Sequence, residues 1–458
     1  MTAGALRAPE REVVSHDPWT GKVVFATEAL DEAAVHEAVG RAERGAERWA
    51  ATPVAERAEA LRRFADLVEA QADELGGLIS REVGKLRRDA EGEVAWTALS
   101  ARWYAGHPPA EGRAGGAVVA RRPLGVIAAV TPWNVPLVTP AWKWLPALVA
   151  GNAVVWKPSE LSTGVAAAAH RLLLEAGVPA DVMLLAPGGA RTARALCADE
   201  RVAGLHFTGS EAAGRALQAL AAPRFARCAL EMSGLNPALV FPDADLDLAA
   251  DCIVACGAAL GGQKCTATRR VLVHEAVRGE LVERLVPRLE ALRPGPPADP
   301  ATTLAPLITP AARDGARERV EGSLAAGARV LASSPEGAGP SAFAATLLGD
   351  LAPDDPLRHE ELFAPVLTLE ALPDDDALFA AANATHYGLS AALYTRDPAR
   401  QDAAAARLRT GVVAVNRRGD DVELEAPFVG VKRSGNGFAE GGDWVYAAVC
   451  DLQAVYRS

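Results

Sequence analysis

The sequence predicts an α/β protein of two doubly wound domains with a small extra β element, and three observations carry that prediction. The chain has 458 residues, which at roughly 100–200 residues per domain leaves room for two to four domains. Half the residues are hydrophobic and 23% are charged, so a packed core is available and wholesale disorder is excluded. From Gly125 onward, short β-branched runs alternate with helical stretches, the pattern of a mostly parallel sheet wrapped by helices.

The elements follow in order. Residues 27–106 read as helical, with apolar positions three and four apart in AERAEALRRFADLVEAQADELGGLISREV and EGEVAWTALSARWYAG. GVIAAV, AVVWK, DVMLLA, AGLHFT and RCALEM then read as strands, separated by helices such as 163–176 and 211–221. Near residue 236 a second alternation begins with PALVFP, a helix over 246–260, the GGQKC turn, RRVLVH and a helix over 275–292. A Pro/Gly-rich connection (293–300) and a polar stretch (333–341) precede the strands PVLTLE, SAALYT and GVVAVN. The tail after Gly442 holds a strand-like DLQAVY suited to pairing with another element or subunit.

Charge and cysteine content narrow the partners. A net charge of −11 gives no reason to expect nucleic acid or an anionic membrane surface. Only Lys22, Lys85, Lys143, Lys157, Lys264 and Lys432 are lysines, so each is worth individual inspection. Six scattered cysteines make no disulfide framework, and a reducing cytoplasm is the expected setting. The N-terminal MTAGALRAPEREVVSHDPW lacks an apolar core of signal-peptide length. Residues 123–142 carry no charge over twenty positions, but Pro123, Pro132, Pro136, Pro140 and Asn134 point to buried interior rather than a membrane span.

In doubly wound sheets ligands bind beyond the carboxyl ends of the strands, which here carry Lys157, Gly188-Gly189, Thr208-Gly209-Ser210 and Glu231. Cys265 lies in Gly-Gly-Gln-Lys-Cys-Thr-Ala, where small neighbours leave the sulfur reachable and a thiolate could attack a carbonyl. Taken alone, any cysteine is more often a small buried hydrophobe, the reading kept for the other five; Cys252 and Cys256 lack a second ligand pair, so no metal is expected. Glu231 ends an apolar strand, where burial would raise its pKa toward a general base's range; a carboxylate satisfied by backbone amides is an equal reading. Asn134 is an amide held between prolines, either an oxyanion donor or a turn former. Lys157 and Glu160 could bridge ribose hydroxyls or form a solvated pair, and GSEAAG (209–214) could receive a pyrophosphate on its free amides.

The combination is more specific than its parts. In order, TPWNVP, WKPSE, FTGS, LEMSGLNP, GQKCTA, EELFAPV, YGLSAALYT and PFVGVKRSGNG resemble the aldehyde dehydrogenase superfamily, from about residue 17 to the C-terminus. The resemblance implies a Rossmann-like cofactor domain over 1–107 and 125–233, a catalytic domain over 234–441, and an oligomerisation element of 108–124 with 442–458. It implies Cys265 as nucleophile, Glu231 as general base, and the Asn134 amide with the Cys265 N–H as oxyanion hole. Lys157 and Glu160 correspond to adenosine-ribose binders, Ser210 to the pyrophosphate position, Glu361 to the nicotinamide-ribose contact, and Phe363 and Trp133 to aromatics beside the nicotinamide. Thr131, Pro132, Ser159, Gly189, Phe207 and Gly209 complete the implied NAD site.

Departures from the family pattern are Met232-Ser233 after the glutamate, Ala364 within Phe-Ala-Pro, Val429 within Pro-Phe-Val-Gly, and Phe438-Ala439 with Glu440 one position late. Retention of Glu231 favours a free acid product over a CoA thioester. The motifs TPWNVPLVTPAWK and GQKCTATRR are closest to dehydrogenases of ketoglutarate semialdehyde and similar short semialdehydes. Aligned on those motifs, Val135, Val138, Thr139, Trp142, Lys264, Thr266 and Phe428 line the aldehyde tunnel. Arg102 and Arg417-Arg418 are candidates for an anionic tail. A phosphate- or phosphonate-bearing aldehyde is the runner-up, and a nucleotide-binding protein without turnover the alternative of another class. Glu160 should repel a 2′-phosphate, so NAD is expected over NADP. A homodimer or homotetramer is implied by the resemblance.

Overall fold

The β-branched runs after Gly125 become a parallel sheet, seen in a computed structural model that describes residues 12–457. The reading of the N-terminal segment falls largely on residues 1–11, outside the described residues. Across this first sheet the strands run Met183–Leu185, Ala153–Lys157, Val126–Val130, Val202–Thr208 and Arg227–Glu231. Every pairing in it is parallel. Val126–Val130 and Ala153–Lys157 are buried along their whole length, which is why they read as continuous apolar runs rather than alternating ones. Chain order reverses between Val126–Val130 and Val202–Thr208, so a switch-point crevice opens beyond Val130, Lys157 and Thr208.

A second sheet has the order Arg329–Ser333, Thr346–Gly349, Val366–Leu372, Thr268–His274, Asn236–Val240, Ser390–Tyr394 and Val412–Val415. It is parallel except at its edge, where Arg329–Ser333 runs against Thr346–Gly349. That edge pair was not anticipated, nor were the helices Pro310–Ala325, Asp375–Asn383 and Pro398–Arg407. A third, antiparallel sheet joins Cys450–Tyr456 to Ala117–Pro123 and Gly112–Ala114.

The helical reading of 27–106 resolves into Glu32–Ala51, Val54–Ala70, Ala72–Val83 and Arg87–Gly106, preceded by a hairpin of Glu12–His16 with Val23–Glu28 that the periodicity did not reveal. The uncharged stretch 123–142 is interior: it contains Val126–Val130 and the start of Val138–Ala150, a helix buried continuously from Pro140. Among the described residues no helix is long and apolar enough to cross a membrane. Glu93 on Arg87–Gly106 anchors that buried helix by accepting from the N–H groups of Leu137 (2.8 Å) and Val138 (3.1 Å), and it also pairs with buried Lys85.

Candidate active site

The nucleophile candidate sits on a turn that needs glycine. Gly261 and Gly262 both have positive φ (+60° and +72°), and a Cβ on Gly262 would lie 2.4 Å from the carbonyl oxygen of Ala364. The turn is braced from three sides. Gln263 donates to the carbonyls of Leu260 (2.8 Å) and Pro306 (3.0 Å) and accepts from the N–H of Ile308 (2.8 Å). Asn236 donates to the carbonyls of Cys265 (2.7 Å) and Ala267 (2.9 Å). Asn134 donates to the Gln263 carbonyl at 2.9 Å, which brings its amide to the loop two residues before Cys265.

A cavity of about 640 Å³ opens on this loop. Both Cys265 and Glu231 line it, although 34 residues and a change of sheet separate them. Among the six cysteines, only Cys265 is not buried. Its thiol is pushed up to about 12, first by desolvation and then by the negative charge of Glu361, with Lys264 opposing. Glu231 is buried, and its carboxyl is raised well above the ordinary range by desolvation and by neighbouring Glu440. The Gly430 N–H, 3.1 and 3.2 Å from the two carboxylate oxygens, and Lys143 act in the opposite direction. Glu440 pairs with Lys143, a fully buried ammonium on Val138–Ala150.

The departures from the family pattern become intelligible here. Met232 takes the space left by Gly214, where a Cβ would meet its sulfur at 2.6 Å. The Pro-Phe-Val-Gly segment supplies the amide that Glu231 accepts, and the late Glu440 reaches Lys143 because its backbone pairs with Phe428 at 2.7 and 2.8 Å.

The other cavity walls are mixed. Val135, Val138, Thr139, Trp142, Thr266 and Phe428, all expected from sequence, line it, as does Lys264. Lys264 pairs with buried Asp420 at 2.5 Å, and the same carboxylate receives Arg418 through bonds of 2.8 Å. Burial lowers the Lys264 pKa less than Asp420 raises it, so the ammonium stays charged. Asp420 is held below the usual carboxylate range, its two cations outweighing desolvation.

Two candidates are corrected. Arg102 does not reach the cavity: it is fastened to Glu69 (2.8 and 2.9 Å) and Asp66 (2.7 Å) on the outer face. Arg88, Asp89, Gly92, Glu93 and Trp96 of the same helix line the cavity, and Arg102 lies about a third of a turn from the centre of that stripe. Arg417 likewise turns away to Asp421 (3.3 Å) and Glu423 (3.2 Å), leaving Arg418 as the member of that pair on the wall.

The crevice of the first sheet holds the cofactor candidates. Lys157 ends its strand 3.4 Å from Glu160, and Ser159 caps the short helical turn Glu160–Ser162. The Trp156 indole donates to the Thr131 hydroxyl at 2.8 Å, fixing the Thr131-Pro132-Trp133 corner. Trp133 meets Phe363 edge-on with ring centroids 5.9 Å apart. Ser210 caps the helix Glu211–Ala221, and Gly209 lies over Phe207, whose ring a Cβ would strike at 2.6 Å. Gly189 caps Ala190–Ala198. The arrangement fits a dinucleotide: the cradle at Gly209 has no space for a side chain, while Thr208 Oγ1 and Glu361 Oε1 are buried polar atoms without a hydrogen-bond partner among the described residues. Glu361 is pushed up to about 7 by burial, with Arg269, Ser233 and Gly234 opposing. No group of three His, Cys, Asp or Glu side chains among the described residues is placed to hold a metal ion.

Sequence reasoning missed Gln263, Asn236, Arg269, Asp420 and Arg88. The usable signal for Asp420 was the scarcity of lysine, since Lys264 in so small a set invites a search for its partner.

Comparison with known proteins agrees with the geometry. A profile described as "Aldehyde dehydrogenase family" matches residues 6–455. A Deinococcus radiodurans protein named succinate-semialdehyde dehydrogenase [NADP(+)] is 36% identical over 444 residues, covering 95% of this chain and 93% of that one. The crystal structure of lactaldehyde dehydrogenase from Escherichia coli superposes with a TM-score of 0.93 at 31% identity, covering 99% of this chain and 96% of that one. An NAD-dependent aldehyde dehydrogenase from Sinorhizobium meliloti gives 0.93 at 30% identity, with coverage of 98% and 91%. With both sheets, the Cys265 turn and the first-sheet crevice in place, the chain belongs to the aldehyde dehydrogenase family and is an NAD(P)-dependent oxidoreductase acting on an aldehyde.

Proposed function

We propose that the protein oxidises a short aliphatic semialdehyde with an anionic tail to the free acid, through a covalent intermediate on Cys265. One observation carries the reading: a single cavity is lined by both a reachable thiol and a buried carboxylate. The Cys265 thiol gives up its proton to water, and attack of the resulting thiolate on the aldehyde carbon puts negative charge on the carbonyl oxygen. Asn134 spends one N–H on the Gln263 carbonyl and keeps a second for that oxygen, beside the N–H of Cys265. A bound NAD(P)⁺ would supply the hydride acceptor that lets the thiohemiacetal on Cys265 collapse to a thioester. Glu231 then takes a proton from water as it attacks the Cys265 thioester, and the thiolate departs from the carboxylic acid.

Residues 1–107 and 125–233 are assigned to cofactor binding, 234–441 to catalysis, and 108–124 with 442–458 to subunit contact. Thr131, Pro132, Ser159, Gly189, Phe207 and Gly209 shape the crevice. Ser210 and its helix N-terminus receive pyrophosphate, Lys157 and Glu160 the adenosine ribose, and Glu361 the nicotinamide ribose, with Trp133 and Phe363 beside the ring.

Tail recognition rests on two cations. Lys264 and Arg418, both held by Asp420, line the cavity and present N–H donors that an anionic tail would accept from. The semialdehyde named for the D. radiodurans relative has a tail of this kind and supports the assignment. The test is coenzyme reduction with aldehydes of equal length ending in carboxylate, phosphate, methyl or ammonium. The expected order has carboxylate first and Cys265→Ala inactive; ammonium ahead of carboxylate, or no turnover of any aldehyde, overturns it. Glu160 opposes a 2′-phosphate and Lys157, 3.4 Å away, offsets it, so NAD is expected to lead NADP in kcat/KM by a small factor.

A further inference from the structure

Arg269 is the second residue of the central strand of the second sheet, just after the nucleophile turn, and is 3% exposed. Its guanidinium touches both walls of the site. On one side it donates to the carbonyls of Gly262 and Lys264, the latter at 3.3 Å, on either side of Gln263 and directly before Cys265. On the other it donates to the Ala364 carbonyl at 2.8 Å, lies 3.8 Å from the Glu361 carboxylate, and stacks 5.8 Å from the Phe363 ring. Ala364 is the same carbonyl that forbids a side chain on Gly262, so the two loops are in contact as well as clasped. Arg269 Nε and Glu361 Oε1, which belong to one ion pair, are both buried with no hydrogen-bond partner among the described residues.

We propose that Arg269 is a positioning residue that joins cofactor engagement to the nucleophile turn: its guanidinium faces the Glu361 carboxylate while its N–H groups hold the Cys265 loop against the Phe363-Ala364 wall. This rests on the assignment of Glu361 to the cofactor ribose. The groups facing Glu361 are Arg269, Ser233, the Gly234 N–H, Cys265 and Tyr387, and Arg269 is the cation among them. Burial drives Glu361 toward its neutral form, with the guanidinium opposing. Without the cation the carboxyl protonates at a higher pH, and a protonated acid is a poorer acceptor for a ribose hydroxyl. Cofactor binding that requires the ionised form therefore strengthens as pH rises, and its midpoint moves upward in the variant.

The experiment measures NAD and NADP dissociation constants by fluorescence quenching from pH 6 to 9, together with iodoacetamide alkylation of Cys265 with and without cofactor. The proteins are wild type, Arg269→Met, Arg269→Lys and Glu361→Gln. Arg269→Met should weaken cofactor binding roughly tenfold at neutral pH and shift its midpoint up by about one unit, since one unit is tenfold in ionised fraction. Its alkylation rate should also lose its dependence on cofactor. Arg269→Lys keeps the charge without the fork, so it should restore the midpoint and not the cofactor-dependent alkylation. Glu361→Gln should remove this limb of the pH dependence. Unchanged midpoints in both Arg269 variants, or a wild-type limb persisting in Glu361→Gln, would overturn the proposal. A wild-type protein that binds neither coenzyme would instead overturn the assignment of the crevice on which it rests.

Discussion

At the scale of single residues, the chemistry depends on burial setting proton affinities. Glu231 sits beside Glu440 in a desolvated wall and is raised well above an ordinary carboxylate. Deacylation by the ionised form should therefore fall as pH drops through that raised value, placing the acid limb of turnover above the usual carboxylate range. Glu231→Gln should lower steady turnover by about 10²–10⁴-fold and erase the limb, while rapid-mixing absorbance still shows a burst of coenzyme reduction. A variant with neither burst nor turnover would move Glu231 to an earlier step. Cys265, Glu231 and Asn134 stand out in the sequence because their immediate neighbours are distinctive, and the structure brings them to one cavity and its loop. Asp420 and Glu440 were not, because their partners Lys264 and Lys143 stand 156 and 297 residues away and no local pattern records such a pairing.

At the scale of elements, one carboxylate holds the aldehyde wall to the first sheet's helices. Glu93 accepts from two N–H groups at the start of Val138–Ala150 and neutralises Lys85, and both side chains are buried. Glu93→Ala leaves that ammonium uncompensated and should cost about 3–5 kcal/mol in urea unfolding. A loss below 1 kcal/mol would show that water reaches the pair. Elements were legible where burial writes a pattern. Val126–Val130 and Ser390–Tyr394 are buried throughout, whereas Pro310–Ala325 buries only Ala316 and Ser323 and so has no apolar stripe to detect. Its Thr309-Pro310 start was the remaining cue, with the threonine capping Ala312 at 3.1 Å. Arg329–Ser333 is a mostly exposed edge strand with one buried residue, equally silent in sequence.

At the scale of the molecule, the antiparallel sheet offers an edge. Cys450–Tyr456 pairs on one side with Ala117–Pro123 and leaves its other side without a partner strand among the described residues, with Leu452 and Tyr456 exposed at 71% and 78%. Such an edge, left bare, invites pairing with another chain, and a homodimer or homotetramer is the arrangement proposed. Light scattering after size exclusion should give two or four times 47.7 kDa, with Leu452→Asp shifted toward the monomer. A monomeric wild type at working concentration would contradict this.

The covalent role of Cys265 is tested most directly by intact and peptide mass spectrometry of Glu231→Gln, quenched after mixing with a carboxylate-tailed semialdehyde and NAD(P)⁺. The expected result is an acyl group on the Cys265 peptide, absent in Cys265→Ala and absent without coenzyme. No adduct despite coenzyme reduction, or an adduct on another cysteine, would contradict it.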